Sequence, residues 1–108
     1  MLKPSSINQV DLNLFVIFDT IYREENLTRA SEQLCLSQPA VSHALARLRE
    51  RLDDPLFERS GKRMKPTAFS NSIIQDVRAG LASLESALVR DLSFDPGSSD
   101  REFSIALP

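Results

Sequence analysis

A three-residue break between two amphipathic segments most restricts how this chain can fold. Residues 38–52 carry apolar side chains four, three and four positions apart, which places them on one helical face. Residues 28–34 show a shorter version of the pattern, and Cys35-Leu36-Ser37 interrupts it. Ser37 is a favourable N-cap, and Pro39 lies in the first turn, where a missing N–H costs little. The spacing predicts a helix-turn-helix. The stripe of the longer segment comprises Val41, Leu45, Leu48 and Leu52.

A further amphipathic helix precedes this pair. Asp11 is a suitable N-cap for a helix that ends at about Arg23, and both Asn26 and Thr28 are candidate caps for the next helix. The three- and four-residue spacing of its apolar side chains predicts one broad buried stripe. That stripe comprises Leu14, Phe15, Phe18, Ile21 and Tyr22, and the second helix adds Leu27, Ala30 and Leu34.

A small β-hairpin is predicted after the third helix. Asp53-Asp54-Pro55 ends the helix, residues 56–59 form a strand, residues 60–63 a turn, and residues 64–65 a short return strand before Pro66. An isolated two-stranded hairpin is barely stable, so it must pack on the helices. Leu56 and Phe57 are the expected anchors.

A long fourth helix follows, with Thr67 as its predicted cap and an end at about Asp91. At about 24 residues and 36 Å it is longer than the small body before it. Its apolar stripe either packs on that body or meets a second copy of the chain, and the length favours a homodimer. Heptad spacing alone does not decide between parallel and antiparallel helices. The predicted dimerisation residues are Ile74, Val77, Leu81, Leu84 and Leu88.

The predicted fold is therefore mainly α. Residues 1–66 form a winged helix-turn-helix of three helices plus a two-stranded wing, and residues 67–92 form the dimerisation helix. Residues 93–101 are a hinge by composition. Residues 102–108 begin with an alternation typical of a strand, and we expect them to start a truncated further domain.

The distribution of charge matters more than its sum. The formal net charge is −2, which is unfavourable for a nucleic-acid partner. Residues 1–66 carry ten Lys/Arg and nine Asp/Glu, whereas residues 67–108 carry three and six. Residues 57–66 alone hold four basic residues and one acidic residue. Because salt limits the reach of a charge to about 8 Å, this local basic patch can still face an anionic partner.

Composition argues against several other classes. One His, one Cys and one Tyr, with no Gly-rich phosphate loop and no metal-ligand spacing, give no basis for an enzyme, a cofactor or a metal. No apolar run approaches the length needed to span a bilayer, so no membrane partner is expected. Cys35 is expected to be a small buried residue in the turn, and a single cysteine suits a reducing cytoplasm.

The third helix carries the candidate DNA contacts. In a helix-turn-helix the second helix of the motif enters the major groove of duplex DNA. Gln38, Ser42, His43 and Arg47 lie off the apolar stripe and are free to reach base edges or phosphates. Capping or solvated roles are the plainer alternatives, and the run of Arg47, Arg49 and Arg51 is in part a solvated face. A winged-helix protein–protein interaction module is the rival function, which would lack the steep salt dependence of DNA binding.

The stretch LTRASEQLCLSQPAVSHALARLRERLDDPLFERSGKRMKPT closely resembles the N-terminal signature of the LysR-type transcriptional regulators. The matching residues include Thr28, Ala30, Ser31 and Leu34, then Ser-Gln-Pro-Ala-Val-Ser at 37–42, and Pro-Leu-Phe-x-Arg at 55–59. The resemblance implies a bacterial, cytoplasmic transcription factor that binds partly palindromic double-stranded DNA as a homodimer with antiparallel fourth helices. It also implies a tetrameric full-length parent. A small-molecule effector would bind only to the missing C-terminal domain.

The resemblance also assigns roles to residues. The recognition positions and the positions near phosphates and the wing together give the predicted DNA-binding set: Thr28, Arg29, Ser37, Gln38, Pro39, Ser42, His43, Arg47, Arg59, Lys62 and Arg63. Three positions depart from the family pattern. His43 stands where Arg is frequent, Ser31 where Ala is frequent, and Ser70 where Gly is frequent. Ser70 is expected to affect how the fourth helix leaves the wing.

Overall fold

The computed structural model describes residues 11–93, with side chains up to residue 90. Residues 1–10, most of the predicted hinge and the strand-like stretch that begins at residue 102 lie outside this part of the chain. Four helices and one antiparallel hairpin follow one another in the predicted order. They are α1 (Leu12–Glu24), α2 (Leu27–Leu34), α3 (Gln38–Leu52), β1 (Phe57–Ser60), β2 (Arg63–Pro66) and α4 (Ala68–Ser93).

Polar side chains begin the first three helices, as the sequence predicts. The carboxylate of Asp11 accepts the N–H of Asn13 at 2.9 Å, and the hydroxyl of Ser37 accepts the N–H of Ala40 at 3.2 Å. Of the two candidate caps for α2, Asn26 is the one used, because its side-chain oxygen accepts the N–H of Arg29 at 2.9 Å. These bonds satisfy backbone donors that the helices leave unpaired.

The first three helices all end on a residue in the left-handed conformation. Glu25, Cys35 and Asp53 have φ angles of 58°, 56° and 55°. This conformation turns the chain sharply and lets the cap N–H reach a carbonyl of the last turn. The expectation that Cys35 is buried was wrong: the residue is exposed. It is the C-cap of α2, in the sharp turn before α3.

The apolar stripes of the three helices meet in one core that also receives the hairpin. Phe18, Val41 and Leu48 are buried completely or almost so. Leu56 and Phe57, the expected anchors, are 0% and 1% exposed, and the rings of Phe57 and Phe18 lie 5.5 Å apart. Burial of side chains of this size contributes about 1.5–3 kcal/mol each. The wing is therefore fixed to the helical body through its base.

The hairpin is tighter than predicted. Ser60 pairs with Arg63, which leaves only Gly61 and Lys62 in the turn, and each strand extends one residue further into the expected turn. Gly61 adopts a φ of 64°, a left-handed geometry that glycine accepts without strain. The backbone N–H of Met64 also donates to the carbonyl of Glu25 at 2.9 Å, which holds the return strand against the α1–α2 junction.

The fourth helix divides into a packed part and an exposed part. Thr67 accepts the N–H of Ser70 at 3.2 Å and so caps the helix as predicted. Ile74 is 3% exposed and lies in the core of its own chain, which removes it from a free dimer surface, and Val77 packs against the same core. Leu84 and Leu88 are 52% and 51% exposed. Only the second half of the predicted stripe is left uncovered by the chain itself.

Two polar contacts attach the packed part of α4 to α1. The guanidinium Nε of Arg78 lies 2.7 Å from a carboxylate oxygen of Asp19, and the hydroxyl of Tyr22 donates to the side-chain oxygen of Asn71 at 2.6 Å. Arg78 also lies over the ring of Tyr22. Within residues 11–93, no helix combines the length and the apolar character that a membrane span needs.

Candidate nucleic-acid interface

One face of α3 is open to solvent. Its apolar side is buried in the core, with Val41 at 0% and Leu48 at 1% exposure. The opposite side carries the predicted contact residues, and no described part of the chain covers it. Its exposed members are Gln38, Pro39, Ser42, His43 and Arg47. A polar helix face of this length, with its ends anchored, can enter the major groove of DNA.

Predicted contact residues from three elements line one groove at the N-terminal end of this face. The groove has a volume of about 460 Å³ and is open to solvent. Thr28 and Arg29 belong to the first turn of α2, Gln38 to the first turn of α3, and Arg59 and Lys62 to the wing. Residues far apart in the sequence thus share one surface, which the helix-turn-helix spacing alone does not establish.

A second, smaller groove lies between α3 and the wing and shares part of its lining with the first. It is lined by Ser42 and Arg49 of α3 and by Arg59 of the wing. Arg59 lines both grooves and so stands between the recognition helix and the first turn of α2. The wing and α3 therefore present one continuous surface.

The main groove is predominantly basic. Arg29, Arg59 and Lys62 contribute three positive charges and Glu32 contributes one negative charge, a sum of +2 among its lining residues. The whole chain is at −2. The surface that would face a polyanion therefore has the opposite sign from the average of the protein, as the local count over residues 57–66 predicts.

The wing tip is held by the α1–α2 junction. The Nε of Arg63 lies 2.9 Å from a carboxylate oxygen of Glu25, with both side chains well exposed. The side-chain amide of Asn26 donates to the carbonyl of Lys62 at 3.4 Å. Arg63, a predicted DNA contact, is thus paired within its own chain. A surface ion pair of this kind is worth about 0–1 kcal/mol, so a phosphate can compete for the guanidinium.

Arg49 has a structural role beside the candidate interface that sequence reasoning missed. It was expected to belong, with Arg47 and Arg51, to a face that is in part solvated. Its Nε instead donates to the carbonyl of Pro55 at 2.6 Å, and Nη2 donates to the carbonyl of Phe57 at 2.9 Å. The guanidinium therefore joins the end of α3 to the base of the wing. Its position beside the Leu45/Leu48/Leu52 stripe was the available signal that it faces inward.

The described side chains contain no metal-binding cluster. Within residues 11–93 no group of three or more His, Cys, Asp or Glu side chains is arranged to hold a metal ion.

Comparison with known proteins places these features in a family. Residues 12–70 match the family described as bacterial regulatory helix-turn-helix protein, lysR family. The chain is 40% identical over 101 residues to the HTH-type transcriptional activator NahR of Pseudomonas putida, covering 94% of this chain and 34% of NahR. It spans about a third of the length of this relative and of LeuO of Escherichia coli, to which it is 40% identical.

The fold is also found among solved structures. A probable transcriptional regulator from Pseudomonas aeruginosa superposes with a TM-score of 0.74 and 43% identity, over 78% of this chain and 28% of that protein. The BenM DBD in complex with catB site 1 DNA superposes with a TM-score of 0.71 and 25% identity, over 75% of this chain and 90% of that one. The hairpin and the long helix seen here therefore belong to an established winged-helix architecture.

Proposed function

Because this chain belongs to the LysR family of bacterial helix-turn-helix regulators, we propose that it is the part of a transcriptional regulator that binds double-stranded DNA sequence-specifically. The observation that carries the proposal is the convergence of predicted contact residues from α2, α3 and the wing around one basic groove. This groove lies at the start of an uncovered helix face. The curated relatives are named as transcriptional activators and regulators.

Base recognition is assigned to the exposed face of α3. Gln38 lies in its first turn, where an amide can form two hydrogen bonds with adenine, a contact that discriminates by about 1–3 kcal/mol. Ser42 and His43 follow one turn later and offer a hydroxyl and an imidazole to the next base edges. Pro39 provides an apolar surface that suits the methyl group of thymine.

Phosphate contacts are assigned to the residues around that face. Thr28 and Arg29 stand at the N-terminal turn of α2, where backbone N–H groups and the helix dipole favour an anion. Ser37 and Arg47 flank the recognition residues on α3, and the wing adds Arg59, Lys62 and Arg63. Such contacts position the protein on the duplex without reading its sequence.

The functional unit is proposed to be a homodimer joined through α4. Leu84 and Leu88 form the exposed part of the stripe, with the half-buried Val77 and Leu81 at its border. Two recognition helices related by a two-fold axis would bind a site with partly palindromic half-sites. In a longer parent protein, a small-molecule effector would be sensed by a domain that follows the hinge, and the parent would assemble further into a tetramer.

Selection of bound duplexes from a random pool at two salt concentrations tests this function. We expect enrichment of a partly symmetric site and a steep loss of affinity as the salt concentration rises. A protein that makes six to ten phosphate contacts loses about 10³–10⁵ in affinity between 50 and 200 mM salt. Binding with little salt dependence, or recovery of no sequence, would favour the rival protein-interaction module and contradict the proposal.

Two variants separate the proposed roles of the contact residues. Gln38→Ala should relax the preference at one base position of each half-site, whereas Lys62→Ala should weaken all duplexes about equally and lower the salt slope by about 1. Affinities for a panel of single-base variants of the selected site measure both effects. If both proteins gave the same profile as the parent, the assigned roles would be wrong.

A further inference from the structure

A partly buried hydrogen-bond network joins the end of α3, the base of the wing and the start of α4. We call it the junction network, and it comprises Asp54, Leu56, Thr67 and Ser70. One carboxylate oxygen of Asp54 accepts the N–H of Leu56 at 2.8 Å and the hydroxyl of Thr67 at 2.9 Å. The carbonyl of Leu56 accepts the hydroxyl of Ser70 at 2.6 Å and the N–H of Thr67 at 3.0 Å.

The network holds a backbone conformation that its central residue does not favour. Leu56 has a φ of 65° and is completely buried. A bulky residue adopts left-handed geometry only where surrounding contacts determine it. Here both backbone polar groups of Leu56 are satisfied by the network, and its side chain fills the core. Ser70 is also 0% exposed, so its hydroxyl has no access to water as an alternative partner.

The members lie at the ends of three elements. Asp54 directly follows the C-cap of the recognition helix, Leu56 directly precedes β1, Thr67 caps α4 and Ser70 lies in its first turn. Asp19 and Tyr22 attach α1 to α4 further along. The junction network is thus a polar connection between α4, the helix proposed to form the dimer, and the two elements proposed to face DNA, α3 and the wing.

A small change in the angle between α4 and the wing would shift the two recognition helices of a dimer by a distance comparable to one base pair. The 17 residue steps from Thr67 to Leu84 span about 25 Å of helix. A tilt of about 10° over that length displaces the far end by about 4 Å, slightly more than the rise of one base pair, about 3.4 Å. The distance between two recognition helices in a dimer therefore depends on how firmly the first turn of α4 is held to the wing.

We propose that Ser70 and Asp54 are positioning residues that set the separation of the two half-sites this protein accepts. The proposal rests on the proposed function, since it concerns a dimer bound to duplex DNA. Neither residue touches a base or a phosphate in this account. Ser70 acts through the Leu56 carbonyl and Asp54 through the Leu56 N–H and Thr67, and their effect is on spacing and not on the sequence of a half-site.

The test uses the full chain and duplexes with two copies of its selected half-site, whose separation is varied in steps of one base pair. The parent should show a sharp optimum. We compare the affinity for the duplex with the best spacing with the affinity for duplexes one base pair longer or shorter. In Ser70→Ala this ratio of affinities should fall by about tenfold, which corresponds to one hydrogen bond of about 1.4 kcal/mol. Ser72→Ala is the matched control, since Ser72 also donates to a carbonyl in α4 but is exposed.

Each outcome decides a separate point. If the parent binds no duplex, the proposed function fails. If the parent binds without a spacing optimum, the positioning role is overturned. The same holds if Ser70→Ala keeps the parent's ratio of affinities. A uniform loss at every spacing would show a purely structural role and would also overturn it. Asp54→Ala provides a second variant, with binding to a single half-site as the check on folding. It should broaden the spacing profile in the same way.

Discussion

Arg49 shows how one side chain can connect the two elements that are proposed to contact DNA. Its two hydrogen bonds to the carbonyls of Pro55 and Phe57 need a rigid fork of donors. Lysine offers a single ammonium and cannot reproduce this geometry. We therefore expect Arg49→Lys to lower the free energy of unfolding by about 1 kcal/mol, since an exposed or part-buried carbonyl loses its charged donor. Urea unfolding followed by circular dichroism measures the difference.

Arg51→Lys is the matched control for this prediction. Arg51 is exposed on the same helix, so the change should leave the free energy of unfolding within about 0.5 kcal/mol of the parent. Equal losses in the two variants would mean that the fork geometry of Arg49 contributes nothing specific to the attachment of the wing.

Glu32 is the acidic residue among those lining the main groove, and it opposes the proposed partner. It shares the groove with Arg29, Arg59 and Lys62. Replacing Glu32 by Gln removes a negative charge near the DNA backbone and should raise affinity about three- to tenfold for duplexes of every sequence. Titration at low salt measures the gain. Asp76→Asn makes the same change of charge on α4, and an equal gain there would refute a local effect.

Residues that depend on neighbours in the sequence were predictable, and those that depend on distant partners were not. Ser37 and Asp11 were identified as caps because a cap needs only its own side chain and the next turn. Cys35 was misplaced because its left-handed φ leaves no mark on apolar spacing. Arg49 was missed because both of its acceptors are backbone carbonyls, which any sequence provides.

At the scale of elements, the order of helices and strands followed from the sequence while the strand ends did not. The hairpin closes with two residues because Gly61 takes a left-handed φ and Met64 bonds to Glu25 from outside the hairpin. Neither constraint appears in the alternation of polar and apolar residues. The convergence of Arg29, Gln38 and Arg59 on one groove is likewise a property of packing between elements.

The side chain of Asn26 contacts both α2 and the wing, and two substitutions separate these contacts. Its oxygen caps α2, and its amide donates to the wing at Lys62. Asn26→Ala removes both contacts and should cost about 1 kcal/mol of stability. Asn26→Asp keeps the cap and loses only the long exposed bond to the wing, so its unfolding free energy should lie within about 0.5 kcal/mol of the parent. Chemical denaturation that shows equal losses would contradict this division.

At the scale of the whole molecule, the apolar stripe of α4 has two parts with different surroundings. Its first part fills the core of its own chain through Ile74, and its second part leaves Leu84 and Leu88 exposed on a helix of about 39 Å. Heptad spacing alone could not locate this division, because both parts follow the same three–four repeat. Only the extent of the three-helix body determines where the cover ends.

The exposed part of the stripe leads to a prediction about assembly. Leu84→Asp and Leu81→Asp should each convert a dimer into monomers, because every dimer loses two buried leucines, about 3–6 kcal/mol, and gains two facing charges. This corresponds to more than about 100-fold weaker association. Ser86→Asp is the control, since Ser86 lies on the opposite face of the same turns. Sedimentation velocity that finds the parent monomeric, or the leucine variants still dimeric, would exclude this surface as the dimer interface.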